Sequence, residues 1–215
     1  MKPLRRFLRL AVAMGVILTA FAGGIWLSAR HADAPVASSV DGLLWPDPPA
    51  LQPFTLTDAA GEPFGLERLR GRWTLLFFGF THCPDVCPTT LAELAAAQTT
   101  LRDHPRYGER GRIAFVSVDP ERDDAATLRA YADFFAPDMI AATAPEDTLR
   151  RLTRALGVVF MKVPQGGDAY TMDHSAGIFF ISPDLHLVSV LTPPHSRDQI
   201  VKRFDAVSAF IEERG

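Results

Sequence analysis

The stretch WTLLFFGFTHCPDVCPTT, residues 73–90, combines the signals of a strand, a turn and the start of a helix. Its first eight residues are a continuous apolar run, which is typical of a strand buried on both faces. Cys83 and Cys87 follow, and they are the only cysteines among the 215 residues. The two prolines beside them are tolerated only near a helix start, so the first helical turn is expected across residues 84–88. The thiols are therefore predicted where a buried strand gives way to a helix.

Strand and helix signals alternate along the rest of the chain and predict an α/β fold. The alternation favours a central mixed sheet, rich in parallel strands, with helices on both faces and a late antiparallel hairpin. In such sheets ligands bind beyond the carboxyl ends of the strands, where Cys83 falls. Predicted strands are 54–57, 64–66, 73–80, 113–118, 139–142, 158–163, 178–182 and 185–192, and predicted helices are 89–101, 124–135, 146–156 and 197–213.

The amino-terminal residues predict export of the rest of the chain. A basic segment, residues 1–9, precedes the uncharged apolar segment 10–29, which has the length needed for a transmembrane helix. The basic residues favour a cytoplasmic amino terminus, so the expected location is a single pass through the inner membrane with the carboxyl-terminal domain in the periplasm. The alternative is a signal peptide cleaved after Ala22. Residues 30–50, rich in Ala, Ser and Pro, are predicted as a linker and residues 51–215 as the globular domain.

The charge distribution argues against nucleic acid as a partner. Five basic side chains lie in the first 31 residues, which leaves 17 basic against 25 acidic residues in the remainder. Binding to nucleic acid would require a basic face, which a mildly acidic domain does not favour.

The cysteine pair is predicted to be reactive or metal-binding. A disulfide between Cys83 and Cys87 would close only a short loop and stabilise the fold weakly. Free amides at a helix start favour thiolates, so both sulfurs are expected to be unusually acidic. Two thiolates suit a soft ion such as Cu(I), and an added imidazole would also let Cu(II) bind, whereas zinc usually takes a fourth ligand.

Six histidines are candidates for that imidazole. His82 adjoins Cys83 but, as its neighbour, is expected to point elsewhere. His174 precedes a buried strand, and Asp173 beside it could satisfy its second ring nitrogen. On spacing alone His174 is either a ligand or an ordinary loop histidine. The remaining four are interpreted as linker or surface residues: His31, His104, His186 and His195.

Three segments in order resemble the Sco/SenC family of copper chaperones, which assists cytochrome c oxidase assembly. They are GFTHCPDVCP (79–88), SVDPERD (117–123) and YTMDHS (170–175), and the match extends from about Leu51 to the carboxyl end. The resemblance implies a thioredoxin-like fold on a membrane tether. It also implies that the loop carrying the histidine packs against the start of the cysteine helix.

The resemblance further implies a site and its partners. One copper ion per chain is expected on Cys83, Cys87 and His174, with the two cysteines also able to form a redox disulfide. Asp119 matches an acidic residue that borders the site and is expected to support it, or alternatively to cap a helix. Met172 is interpreted as packing. Expected partners are cytochrome c oxidase subunit II, with its dinuclear copper centre, and other copper carriers or thiol reductants.

The alternative function is enzymatic, namely a thiol-disulfide oxidoreductase that acts on cysteines of exported proteins. Against it, thioredoxin-like redox motifs usually have the spacing C-x-x-C, and this pair has one residue more. A redox sensor based on reversible oxidation of the same pair is a further possibility. The chaperone interpretation, without enzymatic turnover, is favoured.

Overall fold

A computed structural model of the chain describes residues 48–213, the strand at 43–44 and the isolated positions 14, 15, 19 and 23. The chain divides into two compact units, Met1–Val40 and Asp41–Gly215. The predicted membrane segment, residues 10–29, lies outside the described residues apart from those four positions. Among the positions that are described, no helix is both long enough and apolar enough to cross a membrane.

The second unit is built on an eight-stranded mixed sheet and a separate two-stranded sheet. The strands are β1 Leu43–Leu44, β2 Thr55–Asp58, β3 Pro63–Gly65, β4 Thr74–Gly79, β5 Arg112–Ser117, β6 Ile140–Thr143, β7 Phe160–Gly166, β8 Ala169–His174, β9 Ile178–Ile181 and β10 Leu187–Leu191. The larger sheet has the order β1-β10-β9-β4-β5-β6-β2-β3, and the smaller one pairs β7 with β8.

Strand β4 is central, as its apolar run predicts. It pairs in parallel with β5, from Thr74↔Arg112 to Gly79↔Ser117, and antiparallel with β9. All six of its residues are buried, so both faces of the sheet are covered at this point. The mixed sheet and the antiparallel β9–β10 and β2–β3 hairpins are confirmed.

Residues 48–213 contain five α-helices and a 3-10 helix at Gly108–Arg110; the α-helices are α1 Leu66–Leu69, α2 Val86–Leu101, α3 Ala125–Phe135, α4 Glu146–Ala155 and α5 Arg197–Glu212. Helix α2 begins at Val86, which confirms the first turn expected across residues 84–88 and lies three residues before the predicted segment 89–101. One face of α2 is buried because its apolar residues, including Leu91 and Leu94, recur at helical spacing. Asp124 caps α3 by accepting a hydrogen bond from the Thr127 amide, so the helix-capping alternative for Asp119 does not apply here.

The hairpin β7–β8 differs from the sequence-based expectation. A strand was expected at residues 158–163, and β7 confirms it. The histidine was expected in a loop, which is wrong, because Ala169–His174 forms strand β8. The register pairs Phe160 with His174 and Met161 with Asp173. Gly166 and Gly167 make the turn at positive φ, a conformation that favours glycine. His174 is thus the last residue of a strand.

Candidate metal centre

The two cysteines occupy different environments at the start of α2. Cys87 is the second residue of the helix and is fully buried, whereas Cys83 lies in the preceding turn and is partly exposed. The backbone amide of Cys87, one of the free amides at the helix start, lies 3.4 Å from the Cys83 sulfur and donates to it. Both residues are free thiols.

His174 meets the cysteines from the end of β8. Its Nε2 atom lies 3.4 Å from the Cys87 sulfur, and its Nδ1 atom lies 3.2 Å from the carbonyl oxygen of Ser175. A carbonyl oxygen can only accept a hydrogen bond, so it favours the tautomer with hydrogen on Nδ1. The Nε2 lone pair is then directed at Cys87, as a metal ligand requires.

Aromatic rings and one glycine shape the floor of this site. The His174 ring packs edge-to-face on Phe80 at 5.9 Å and on Phe77 at 6.3 Å between centroids. A Cβ atom on Gly79 would lie 2.9 Å from the Cys87 sulfur and 2.9 Å from a ring carbon of Phe115. Glycine at this position therefore lets the first turn of α2 approach the end of β4.

The pKa values of the two thiols are driven apart. The hydrogen bond from the Cys87 side chain, supported by the backbone amides of Asp85 and Cys87, holds the pKa of Cys83 well below that of a free thiol despite its partial burial. The same hydrogen bond, together with burial, raises the pKa of Cys87 far above the ordinary range. The expectation that both sulfurs are acidic is thus wrong for Cys87, because its burial and its donation to Cys83 outweigh the hydrogen bond it receives from the Phe80 backbone.

The SVDPERD segment supports the site through two buried carboxylates. Asp123 accepts hydrogen bonds from the amide and hydroxyl of Thr81 and from the hydroxyl of Ser117, which fixes the turn before Cys83. Asp119 accepts from Tyr170 and Arg122. Burial, together with that hydrogen bond to Asp119, raises the pKa of Tyr170 to about 12.

Sequence reasoning singled out neither Asp123 nor Tyr170. Both residues lie within segments that resemble the family, Asp123 in SVDPERD and Tyr170 in YTMDHS, and this was the signal that could have identified them.

The other residues considered from the sequence have different surroundings. Asp173 is exposed, and the Ser175 carbonyl, rather than this carboxylate, lies at Nδ1 of His174. Met172 is buried in the hydrophobic core. The exposed His82 ring turns toward Thr81 at 3.0 Å, away from the cysteines.

His195 is a second correction. It was interpreted as a surface residue, but its ring is half-buried and its Nε2 atom donates to the Ala176 carbonyl at 2.7 Å, while burial lowers its pKa. It therefore braces the residues that follow His174.

The chemistry of the three side chains fits a soft ion. Two sulfurs and one imidazole nitrogen converge from two elements, and these donor types suit copper. Within the described part of the chain, no group of three histidine, cysteine or acidic side chains is already arranged around one ion position. Coordination by the trio would therefore need side-chain adjustment and the release of the thiol proton from Cys87.

Comparisons with known proteins identify a single family. The SCO1/SenC family model matches residues 46–209. The Arabidopsis thaliana "Protein SCO1 homolog 1, mitochondrial" is 34% identical over 148 residues, and the match covers 69% of this chain but only 44% of the length of that relative.

Solved structures agree on the fold. The crystal structure of Arabidopsis thaliana ScoI with copper bound aligns with a TM-score of 0.69 at 31% identity, covering 76% of this chain and 99% of that one. The structure of Bradyrhizobium japonicum ScoI with copper bound aligns with a TM-score of 0.65 at 31% identity, covering 75% and 99%. The mixed α/β sheet with its helices thus matches Sco structures.

Proposed function

The chain belongs to the SCO1/SenC family, and from that premise we propose that it is a copper-binding assembly factor for cytochrome c oxidase. One copper ion is held by Cys83, Cys87 and His174 and is delivered to the dinuclear copper centre of oxidase subunit II. The observation that carries this proposal is the 3.4 Å approach of His174 Nε2 to the Cys87 sulfur, across 87 residues of chain. Copper-bound relatives of the same fold support it.

We further propose that the domain acts outside the cytoplasm, tethered to the inner membrane by residues 10–29. A segment of 20 uncharged residues preceded by arginines supports this location. An oxidising compartment would also permit the cysteine pair to form a disulfide, so thiol reductants are expected partners.

Loading follows from the two thiol environments. The Cys83 thiolate is available to an incoming Cu(I) ion, and the buried Cys87 thiol loses its proton as its sulfur joins the ion. His174 completes a three-coordinate site, which Cu(II) needs more than Cu(I) does because imidazole suits the harder ion. Delivery proceeds by ligand exchange, in which thiolates of the partner replace these sulfurs one at a time.

Copper titration of the whole chain in detergent tests the proposal. Losing a residue that only supports a metal ligand typically lowers affinity about 10–100-fold. Because His174 would be a ligand itself, we expect His174→Ala to lower Cu(II) affinity by more than this, while the two sulfurs still bind Cu(I). Cys83→Ser and Cys87→Ser should each abolish tight binding of either ion. His186→Ala is the matched control, because this histidine pairs with Asp184 in another part of the fold. Tight copper binding that survives either cysteine substitution contradicts the assignment.

The thiol asymmetry also favours a second candidate function, disulfide reduction. The Cys83 thiolate would attack a partner disulfide, form a mixed disulfide and release one partner thiolate. Cys87 would then lose its proton and attack Cys83, which releases the second partner thiol and leaves a Cys83–Cys87 disulfide. The partner gains two electrons and this chain loses two. Rapid reduction of a model disulfide by wild type, with copper affinity unaffected by His174→Ala, would favour this function over copper delivery.

A further inference from the structure

The hairpin β7–β8 that carries His174 is separate from the main sheet. Its two strands pair only with each other, and neither belongs to the eight-stranded sheet. An isolated two-stranded hairpin is at best marginally stable in water, so contacts with the rest of the domain must hold it. The buried side chains of Phe160 and Met172 supply part of that attachment. Apolar packing alone, however, is non-directional and does not set where the end of β8 lies.

The polar attachment is concentrated in one short segment. Within residues 48–213, the hydrogen bonds and ion pairs that connect residues 160–174 to the rest of the domain beyond Ser175 run to the segment 119–122 or to the cysteine pair. Tyr170 donates its hydroxyl to Asp119 at 2.8 Å, and Lys162 pairs with Glu121 at 2.7 Å. The Tyr170 carbonyl accepts from Arg122 at 3.0 Å. The segment that follows β5 thus holds the strand that bears the histidine.

Arg122 is the centre of this attachment. Its guanidinium pairs with the buried carboxylate of Asp119 and stacks 3.7 Å from the centroid of the Tyr170 ring. It also lies 5.8 Å from the centroid of Phe80, the ring on which His174 packs. A planar, always-charged group that stacks and donates in several directions is what such a junction requires, and lysine would not replace it.

From these contacts we propose that Asp119, Arg122 and Tyr170 form a clamp that positions His174 over the cysteines and so sets how tightly the site binds Cu(II) relative to Cu(I). The inference rests on the proposed three-ligand site. Its three members are positioning residues, because they act on the ion only through His174.

The selectivity follows from which ligands the clamp controls. Both cysteines sit on α2 and its preceding turn, which the clamp does not hold, so the two-sulfur site survives without it. His174 is four residues from Tyr170 on the same strand, so freedom at Tyr170 is transmitted to the imidazole. A supporting shell that lets a ligand drift by about 1 Å leaves a site that is present but too loose. Cu(II) binding, which needs the imidazole, is therefore expected to suffer first.

Two variants and one matched control test the clamp in the whole chain in detergent. Tyr170→Phe removes one hydroxyl and keeps the ring under Arg122. Arg122→Gln removes the guanidinium, at the risk of leaving the Asp119 charge buried without a partner. Arg102→Gln is the control. Arg102 directly follows α2, at the end opposite the cysteines, and forms a similar ion pair with Asp138 at 2.6 Å.

The first measurement uses metal-free protein and does not depend on copper. We expect amide hydrogen exchange in residues 160–174 to accelerate about tenfold in Tyr170→Phe, which loses one hydrogen bond to the buried Asp119 carboxylate. The acceleration should be larger in Arg122→Gln, which loses the ion pair and the stacking contact as well. Exchange in β4 and β5 should stay at the wild-type rate. Unchanged exchange in the hairpin, or equal acceleration throughout the domain, overturns the clamp.

The second measurement compares the affinities for the two copper ions. We expect Cu(II) affinity to fall about 10–100-fold in both variants while Cu(I) affinity stays near wild type, and the control should change neither. An equal fall for both ions overturns the positioning role. If wild type and His174→Ala bind Cu(II) equally well, the proposed three-ligand site fails, and the exchange result still decides by itself whether the clamp holds the hairpin.

Discussion

Gly79→Ala is a small substitution whose effect on the site follows from the distances around this residue. The added methyl would lie 2.9 Å from the Cys87 sulfur, 2.9 Å from Phe115 and 3.2 Å from Phe77. Ordinary contacts between such atoms are about 3.5–4.0 Å, so about 0.6–1 Å of separation must be found. Strand β4 is held in place, because it lies between β5 and β9 and its pairing with β5 extends to Gly79↔Ser117 at its end. The first turn of α2, with Cys87, must therefore move outward.

The free energy of unfolding is expected to fall by about 1–2 kcal/mol. Overpacking costs about 1–3 kcal/mol, and replacing glycine in a strand returns about 0.5–1 kcal/mol. With a urea m-value of about 2 kcal/mol/M, the unfolding midpoint should drop by about 0.5–1 M. Because Cys87 moves away from His174, Cu(II) affinity should fall by about tenfold in the same protein.

Gly177→Ala is the control for this prediction. A Cβ atom there would meet a Val190 methyl at 2.8 Å, which is a comparable clash with a side chain and involves neither sulfur. It should alter stability while leaving copper affinity near wild type. If Gly79→Ala matches wild type in both the urea midpoint and Cu(II) affinity, the close approach of α2 to β4 does not set the site.

Two further predictions concern the thiols and the buried carboxylate. Alkylation of metal-free protein as a function of pH should identify Cys83 as the reactive thiol. In Cys87→Ala the pKa of Cys83 should rise by about 1–2, because the lost hydrogen bond to a charged sulfur is worth about 1.5–3 kcal/mol. Folding lowers the pKa of Cys83, so the stability that this thiolate contributes is complete above its unfolded pKa of about 8.5 and is lost as the pH falls. From pH 6 to 8, where Cys87 stays mostly protonated, the free energy of unfolding of wild type should therefore rise more than that of Cys83→Ser. An identical dependence on pH in the two proteins would contradict the assignment. Asp123→Asn should lower the free energy of unfolding by about 1–3 kcal/mol in urea melts and expose the turn at Thr81 to proteolysis, while the exposed Asp173→Asn serves as the neutral comparison.

The apolar pattern was sufficient for the centre of the main sheet, because strands β4, β5, β9 and β10 are mostly apolar, whereas β1 lies within the predicted linker 30–50 and was missed. A continuous apolar run such as β4 predicts a buried strand even when the strands that pair with it are unknown. Strand β8 was missed for the opposite reason. Its residues AYTMDH are mostly polar and partly exposed, and only pairing with β7 makes them a strand. The Gly166-Gly167 pair was the available signal for that hairpin.

The motifs correctly placed His174 beside Cys87, but the electrostatics of this candidate site could not be predicted from them. Three motifs identified Cys83, Cys87 and His174, yet the opposite pKa directions of the thiols depend on which sulfur is buried against Gly79. That depends on the packing of α2 against β4, which no local pattern encodes. His195 shows the same limit, because its burial against the Ala176 carbonyl arises from residues 19 positions apart.

The extra residue between the cysteines has a structural consequence that links both candidate functions. It leaves Cys83 outside the helix, where the Cys87 amide points at its sulfur, while Cys87 itself lies inside the first turn against Gly79 and His174. One sulfur is therefore charged and accessible, and the other is neutral and covered. A soft ion reaches the first sulfur without displacing a proton and gains the second only by displacing one. A disulfide partner meets the same order of events, with attack by the first sulfur and resolution by the second. What separates the two chemistries is the imidazole at the end of β8, because a ligand nitrogen is required to hold Cu(II) and is not required for thiol exchange.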